Sequence, residues 1–166
     1  MLMDRWETLK LLATLLDYPG NQMGDMENMA GEIGEFLDNI IEIDPYELQE
    51  LYVNTFEMSR KVSLYVTHMI YRDDDERSKL MLKLIGIYGK YRFKFDRHEL
   101  PDYLPTMLTF ISTHHNSIPI ATLRELSSLI YNASVNIKDR IPDGNPYKLL
   151  IDALAKLMDD ITKQLK

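Results

Sequence analysis

Four histidines, a run of acids and a proline-framed polar segment are the places where this chain of 166 residues could do chemistry. His114 and His115 are adjacent, so on a helix their side chains diverge by about 100° and do not grip one metal as an i, i+4 pair would. His68 and His98 are isolated in sequence. The run Asp73-Asp74-Asp75-Glu76 offers oxygen ligands, yet it lacks the alternating acids, central glycine and terminal bidentate glutamate of a calcium loop. Its plainer reading is the negatively charged start of a helix. There is no Gly-x-Ser-x-Gly elbow, phosphate-cradling glycine loop or dinucleotide fingerprint. With no cysteine there is no thiolate, disulfide, iron–sulfur cluster or Cys-based zinc site. No enzyme activity, metal site or cofactor is expected.

Helix packing does not demand the segment Glu99-Leu100-Pro101-Asp102-Tyr103-Leu104-Pro105. Its two prolines restrict the backbone. Asp102 is placed to cap a helix beginning at Tyr103 or Leu104, and Glu99 and Tyr103 are left as polar groups on a stiff loop.

The elements that must position these residues read as helices. Asp4 is an N-cap, and Leu2, Trp6, Leu9, Ala13 and Leu16 form one face of a first helix that Asp17-Tyr18-Pro19-Gly20-Asn21 ends. Met26, Met29, Ala30, Ile33, Leu37, Ile40 and Ile41 give a second stripe, in which Gly31 and Gly34 either weaken the helix or permit close approach. Asp44-Pro45 restarts the chain as N-cap and first helical residue, with Leu48, Leu51, Tyr52, Thr55 and Phe56 facing inward. Val62–Tyr71 is apolar and β-branched; with no second strand nearby to pair with, it is expected to be helical. Asp73–Glu76 opens a long helix whose wide apolar face, from Leu80 to Tyr91, suggests burial on two sides. Phe93 to His98 is a loop. Three further helices follow, on Leu104–Ile111, Leu123–Ile137 and Leu150–Leu165, the last two separated by the break Ile141–Pro146. The expectation is an all-α, single-domain bundle of about eight helices across residues 1–166.

Composition agrees with a globular chain, at 45% apolar and 27% charged residues. No apolar run approaches the ~20 residues of a membrane span, and the start lacks a secretory signal, so a cytoplasmic location without stable membrane insertion is expected. Charge is uneven. Residues 11–59 hold eleven acids and no Lys or Arg, so that segment is −11 while the rest is +4 against the total of −7. Such a field disfavours nucleic acid and suits a basic partner.

Three stretches together resemble a known family. Tyr52-Val53-x-Thr55-Phe56-Glu57, then Ser63-Leu64-Tyr65-Val66-Thr67, then Glu99-Leu100-Pro101-Asp102-Tyr103-Leu104-Pro105 look like the NarJ branch of the TorD-like chaperones, the nitrate reductase delta-subunit proteins. The resemblance covers about residues 48–112. It implies a cytoplasmic, non-catalytic chaperone that binds the apo catalytic subunit of a molybdenum oxidoreductase, through a leader-like or twin-arginine N-terminal segment, and assists cofactor insertion and assembly. Carried onto this chain, it makes Tyr52, Thr55, Phe56, Glu57, Ser63, Tyr65, Arg77, Glu99, Pro101, Asp102, Tyr103 and Pro105 the candidate client-binding residues. A groove with Phe56 and Tyr65 as its apolar floor and Glu57, Glu99 and Asp102 as its acidic rim would receive the peptide.

The family's Gly-acidic-x-Arg-x-Arg-Gly turn is replaced by Arg72–Ser78, in which only Asp73 and Arg77 match, and client preference is expected to differ there. Tyr103 stands where the family often has histidine, so pH-switched release through that position is not expected. The alternative is a helical adaptor whose acidic face binds an unrelated basic protein. Either a monomer or a dimer swapped about the Ile141–Pro146 hinge is compatible with the sequence.

Overall fold

The computed structural model describes residues 3–20 and 31–165, and it is all helical. Leu2, Met26, Met29 and Ala30, assigned to the first two stripes, lie outside the described residues. The helices are α1 (Arg5–Leu16), α2 (Gly31–Ile40), α3 (Pro45–Tyr52), α4 (Val66–Ile70), α5 (Asp74–Lys90), α6 (Leu104–His114), α7 (Ile120–Arg140) and α8 (Tyr147–Gln164). One apolar cluster takes residues from every one of them, from Leu9 of α1 to Ile161 of α8.

Capping chemistry sets several of the starts. Asp4 accepts from the amides of Trp6 and Glu7 while the Glu7 carboxylate accepts from the Asp4 amide, a complete capping box. Asp44 caps α3 with Pro45 in its first turn, and Asp73 accepts from the Asp75 amide at the head of α5. Gly31 opens α2 at φ 70°, a left-handed backbone that a side chain would strain, which gives this glycine a role other than loosening the helix. The α2 stripe is Ile33, Phe36 and Ile40, and Ile41 is exposed rather than part of it.

Antiparallel pairs make the frame. α1 lies against α6: Trp6 stacks on His115 with ring centroids 4.0 Å apart, and Asp17 meets Tyr103 at the other end. α7 lies against α8, whose final carbonyl at Leu165 accepts from the Arg124 guanidinium at 2.9 Å, a cationic cap on a helix C-terminus. α2 is tied to α8 by Lys156, which reaches Glu32 at 2.7 Å and Asp152 at 3.0 Å. The hydrogen bonds it donates to Glu32 and Asp152 push the Lys156 ammonium up to about 12.

Three expectations need correction. Val62–Tyr71 is not one helix: only Val66–Ile70 is helical, and Tyr65 forms an isolated antiparallel bridge with Tyr103. The extended residues find their partner across the fold, in the Glu99–Leu104 loop, which local sequence could not indicate. α5 is not buried on two sides. Leu80, Leu84 and Tyr88 face the core, but Leu82 is 70% and Ile85 51% exposed, because among the described residues no element covers the opposite side. Finally, α3 runs on into a π-helical turn, Val53–Glu57, closed by the Met58 amide on the Val53 carbonyl at 2.9 Å. Turns of this kind recur at functional sites. Among the described residues, no helix is long and apolar enough to cross a membrane.

Candidate functional site

The site is built where two chain segments cross. The Val66 amide donates to the Asp102 carbonyl at 3.0 Å and the Leu104 amide to the Leu64 carbonyl at 2.7 Å, locking Ser63–Val66 against Pro101–Leu104. Ser63 turns the chain into this crossing by accepting from the Tyr65 amide at 3.1 Å. Tyr88 of α5 reinforces it from below, its hydroxyl donating to the buried Pro101 carbonyl at 2.8 Å.

Asp102 does not cap α6, whose N-cap residue is Tyr103 and whose start has no side-chain capping bond. Its carboxylate instead accepts from the Thr67 amide at 3.0 Å and the Thr67 hydroxyl at 2.6 Å, so a residue from a distant loop caps α4. Nor is Asp102 a rim group, since the whole residue is 0% exposed. Burial raises its carboxyl above the usual value, and the Thr67 hydrogen bonds and the Arg77 charge act in the opposite direction. Arg77 reaches the same cluster, donating from Nε to the Thr67 hydroxyl at 3.3 Å. Both matching residues of the divergent Arg72–Ser78 turn therefore have structural tasks: Asp73 caps α5 and Arg77 joins the Thr67 cluster.

Above the crossing runs a chain of phenols. Tyr65 donates to Glu99 Oε1 at 2.5 Å, and the Leu100 amide holds the same oxygen at 3.0 Å. The Tyr103 hydroxyl donates to Asp17 Oδ1 at 3.0 Å and lies 2.6 Å from the Tyr52 hydroxyl, which is also 3.0 Å from the Leu16 carbonyl. Leu16 and Asp17 offer acceptors only, so two phenolic hydrogens serve three contacts and the Tyr52 hydrogen is divided between Tyr103 and Leu16. Burial is the first cause that pushes all three phenols, Tyr52, Tyr65 and Tyr103, above the ordinary tyrosine range. They act as hydrogen-bond donors, not as bases.

A groove of about 570 Å³ opens beside this chain, between the end of α1, the residues 93–99 and the first turns of α6. Tyr18, Phe93, Phe95 and Pro105 give it apolar walls, and among the described residues Asp17, Asp96 and Glu99 are its acids and Lys94 its one basic lining residue. Of the sequence-derived candidates, Glu99, Tyr103 and Pro105 line it. The others do not. Phe56 is no floor: it is buried between Tyr52 and Tyr147, with ring centroids 5.2 Å from each. Thr55 is also buried, donating to the Leu51 carbonyl and accepting from Asn145. Tyr52 and Tyr65 support the lining from behind, Ser63, Pro101 and Asp102 build the crossing, Arg77 braces α4, and Glu57 is exposed outside the groove.

Asp17, Tyr18, Phe93, Phe95 and Asp96 were missed because they come from the end of a helix and from a loop read as a mere connection. The alternation of Phe93 and Phe95 with Lys94 and Asp96 was the available signal. Among the described residues, no group of three or more His, Asp or Glu side chains is placed to hold a metal ion. The groove's assets are apolar surface, hydrogen-bond acceptors and negative charge, which suit the binding of a cationic, partly apolar chain.

Comparison with known proteins adds a second line of observation. Residues 22–128 match the family model described as nitrate reductase delta subunit. NarJ of Escherichia coli K12, named as a nitrate reductase molybdenum cofactor assembly chaperone, is 26% identical over 128 residues, covering 77% of this chain and 53% of that protein. This chain thus spans about half the length of that relative. A Bacillus subtilis protein described as a probable chaperone of the same name is 33% identical over 120 residues, 64% of this chain and 65% of its own. A crystal structure from Archaeoglobus fulgidus, whose assignment as a redox enzyme maturation protein is itself provisional, matches with a TM-score of 0.72 over 96% of both chains. At 18% identity, that last likeness is one of fold.

Proposed function

The chain belongs to the nitrate reductase delta subunit family, and from that premise we propose that it is a cytoplasmic assembly chaperone for a molybdenum oxidoreductase, of the nitrate reductase kind or a relative. In this reading it is not a catalyst. It binds the N-terminal, leader-like segment of the apo catalytic subunit and holds that subunit until cofactor and partner subunits are in place.

The observation that carries the binding mode is the groove itself. Among the described residues, three carboxylates against one ammonium line a trough with four apolar walls, and two of those carboxylates are fixed by tyrosines, Asp17 by Tyr103 and Glu99 by Tyr65. Fixed acceptors favour binding because less freedom is lost when a guanidinium arrives. An arginine-bearing segment would place its cation between Asp17, Asp96 and Glu99 and its apolar side chains against Phe93, Phe95 and Pro105. The relatives' names point to the same class of client, a nitrate reductase awaiting molybdenum cofactor.

The test is co-purification of the tagged chain from its native host. Recovery of a large molybdoenzyme catalytic subunit lacking its cofactor is expected. Reproducible recovery of an unrelated basic protein in its place would overturn this reading in favour of an adaptor.

A further inference from the structure

Among the described residues, the charges of the groove do not pair with one another. Asp17 is held by the Tyr103 hydroxyl, Glu99 by the Tyr65 hydroxyl, and Asp96 accepts from the His98 amide at 2.9 Å. Lys94 shares the trough with these three carboxylates and forms an ion pair with none of them. Its neighbours are anchored. Phe93 and Phe95 both turn onto Tyr88, with ring centroids 5.0 and 5.3 Å from it, and the Phe93 amide donates to the Tyr88 carbonyl at 2.9 Å. Lys94 and Asp96 alternate with these half-buried rings and are exposed, so both stand on the outward side of the chain. Two residues at a strand-like rise are about 7 Å apart, so the groove offers a free ammonium at about that distance from a carboxylate.

On the reading that the groove is the client site, we propose that Lys94 determines which basic segments it accepts. Lys94 selects a client segment that carries a carboxylate close to its arginine and rejects one whose positive charge is unbroken. With the guanidinium seated among Asp17, Asp96 and Glu99, the next charged side chain of the client falls within reach of Lys94. A carboxylate there gains an ammonium that has no bond to give up, whereas a second cation meets like charge. The same contact fixes the direction in which the segment lies, since its arginine and its acid cannot exchange places without two repulsions. Both groups are exposed to water, so each contact changes affinity by only about threefold to fivefold. Attraction and repulsion together separate an acid-bearing segment from its lysine counterpart by about tenfold.

Calorimetric titration with synthetic peptides tests this. Each peptide carries one arginine among apolar residues and, two, three or four positions on, a glutamate, a glutamine or a lysine. In wild type, the glutamate form at the best spacing is expected to bind about tenfold more tightly than the lysine form, with glutamine between them. Lys94→Gln should shrink that ratio to about twofold or less, and Lys94→Glu should reverse it. Lys79, exposed on α5 and outside the groove, supplies the control: Lys79→Glu makes the same change in net charge and should keep the wild-type ratio. A ratio that is the same in wild type and both Lys94 variants, or one that Lys79→Glu moves as far as Lys94→Glu does, would overturn the proposal. Asp17→Asn/Glu99→Gln separates this failure from failure of the groove reading. If that variant weakens every peptide while the Lys94 variants change no ratio, only the role of Lys94 is wrong; if it weakens none, both the groove reading and the role of Lys94 are.

Discussion

Glu99 and Asp102 are carboxylates on the same loop, three residues apart, and they do opposite work. Asp102 is turned inward, wholly buried, and spends one oxygen on the amide and hydroxyl of Thr67. Glu99 is turned toward the groove, its orientation set by Tyr65 and the Leu100 amide. The crossing and the groove are thus two regions served by one motif, whose residues divide between building the scaffold and lining the groove. Motif membership alone does not say which side of that division a residue is on; burial and hydrogen-bond partners do.

The largest effect that would test this division is on the scaffold side. Asp102→Ala leaves the Thr67 amide and hydroxyl unpaired in the core. Even with relief of the buried carboxylate, it is expected to cost about 3 kcal/mol, a fall in Tm on the order of 10 °C for a chain of this size. Thermal denaturation measures it, and a change within experimental error would mean that the crossing does not depend on this cap. Next in size is Tyr103→Phe, which removes the hydroxyl joining Asp17 to Tyr52. A loss of about 1–2 kcal/mol in denaturant unfolding is expected, together with weaker peptide binding, because this tyrosine belongs to both regions.

The pH dependence sharpens the contrast. Asp102's folded carboxyl titrates above its unfolded value of 3.8 because it is buried. The folded state then holds that proton more tightly, so the stability this group contributes is full below 3.8 and declines as pH rises through the folded value. Asp102→Asn has no such titration. Measured by urea unfolding across the carboxylate range, wild-type stability relative to this variant is expected to fall with rising pH; a difference that grows would reverse the assignment of burial as the dominant cause. The smallest effect is expected at Glu57, exposed and outside the groove. Glu57→Gln should alter peptide affinity by less than about twofold, roughly 0.4 kcal/mol, and leave Tm unchanged.

Much of the frame was legible because helix signals are local. Asp4, Asp44 and Asp73 cap the helices they precede, the stripe of α7 is buried as its spacing required, and so are Leu9, Ala13 and Leu16 of α1 and Leu150, Ile151, Leu154, Met158 and Ile161 of α8, with Trp6, Leu157 and Leu165 half-buried at the edges. The motifs at 52–57, 63–67 and 99–105 are far apart in sequence, yet all three meet at or behind the crossing. What failed was non-local. Asp102 looked like the cap of the next helix because that partner is close in sequence, while Thr67 is distant. Val62–Tyr65 lacked a visible strand partner for the same reason. α5 looked doubly buried because a wide apolar face reads alike whether or not something covers it. The groove's far wall, Phe93 and Phe95, belongs to a loop whose lining role depends on α1 and α6 closing around it.

The central claim is that the groove, and not the buried half of the motif, holds the client. Calorimetric titration of the N-terminal peptide of a nitrate reductase catalytic subunit into wild type and into Asp17→Asn/Glu99→Gln tests it most directly. Both substitutions keep the acceptor oxygens for Tyr103 and Tyr65 while removing charge, so Tm should shift by no more than about 0.5 kcal/mol equivalent. Affinity is expected to fall at least about tenfold, some 1.4 kcal/mol, with the difference shrinking at high salt. Unchanged affinity in the folded double variant would contradict the account and place the client elsewhere on the protein.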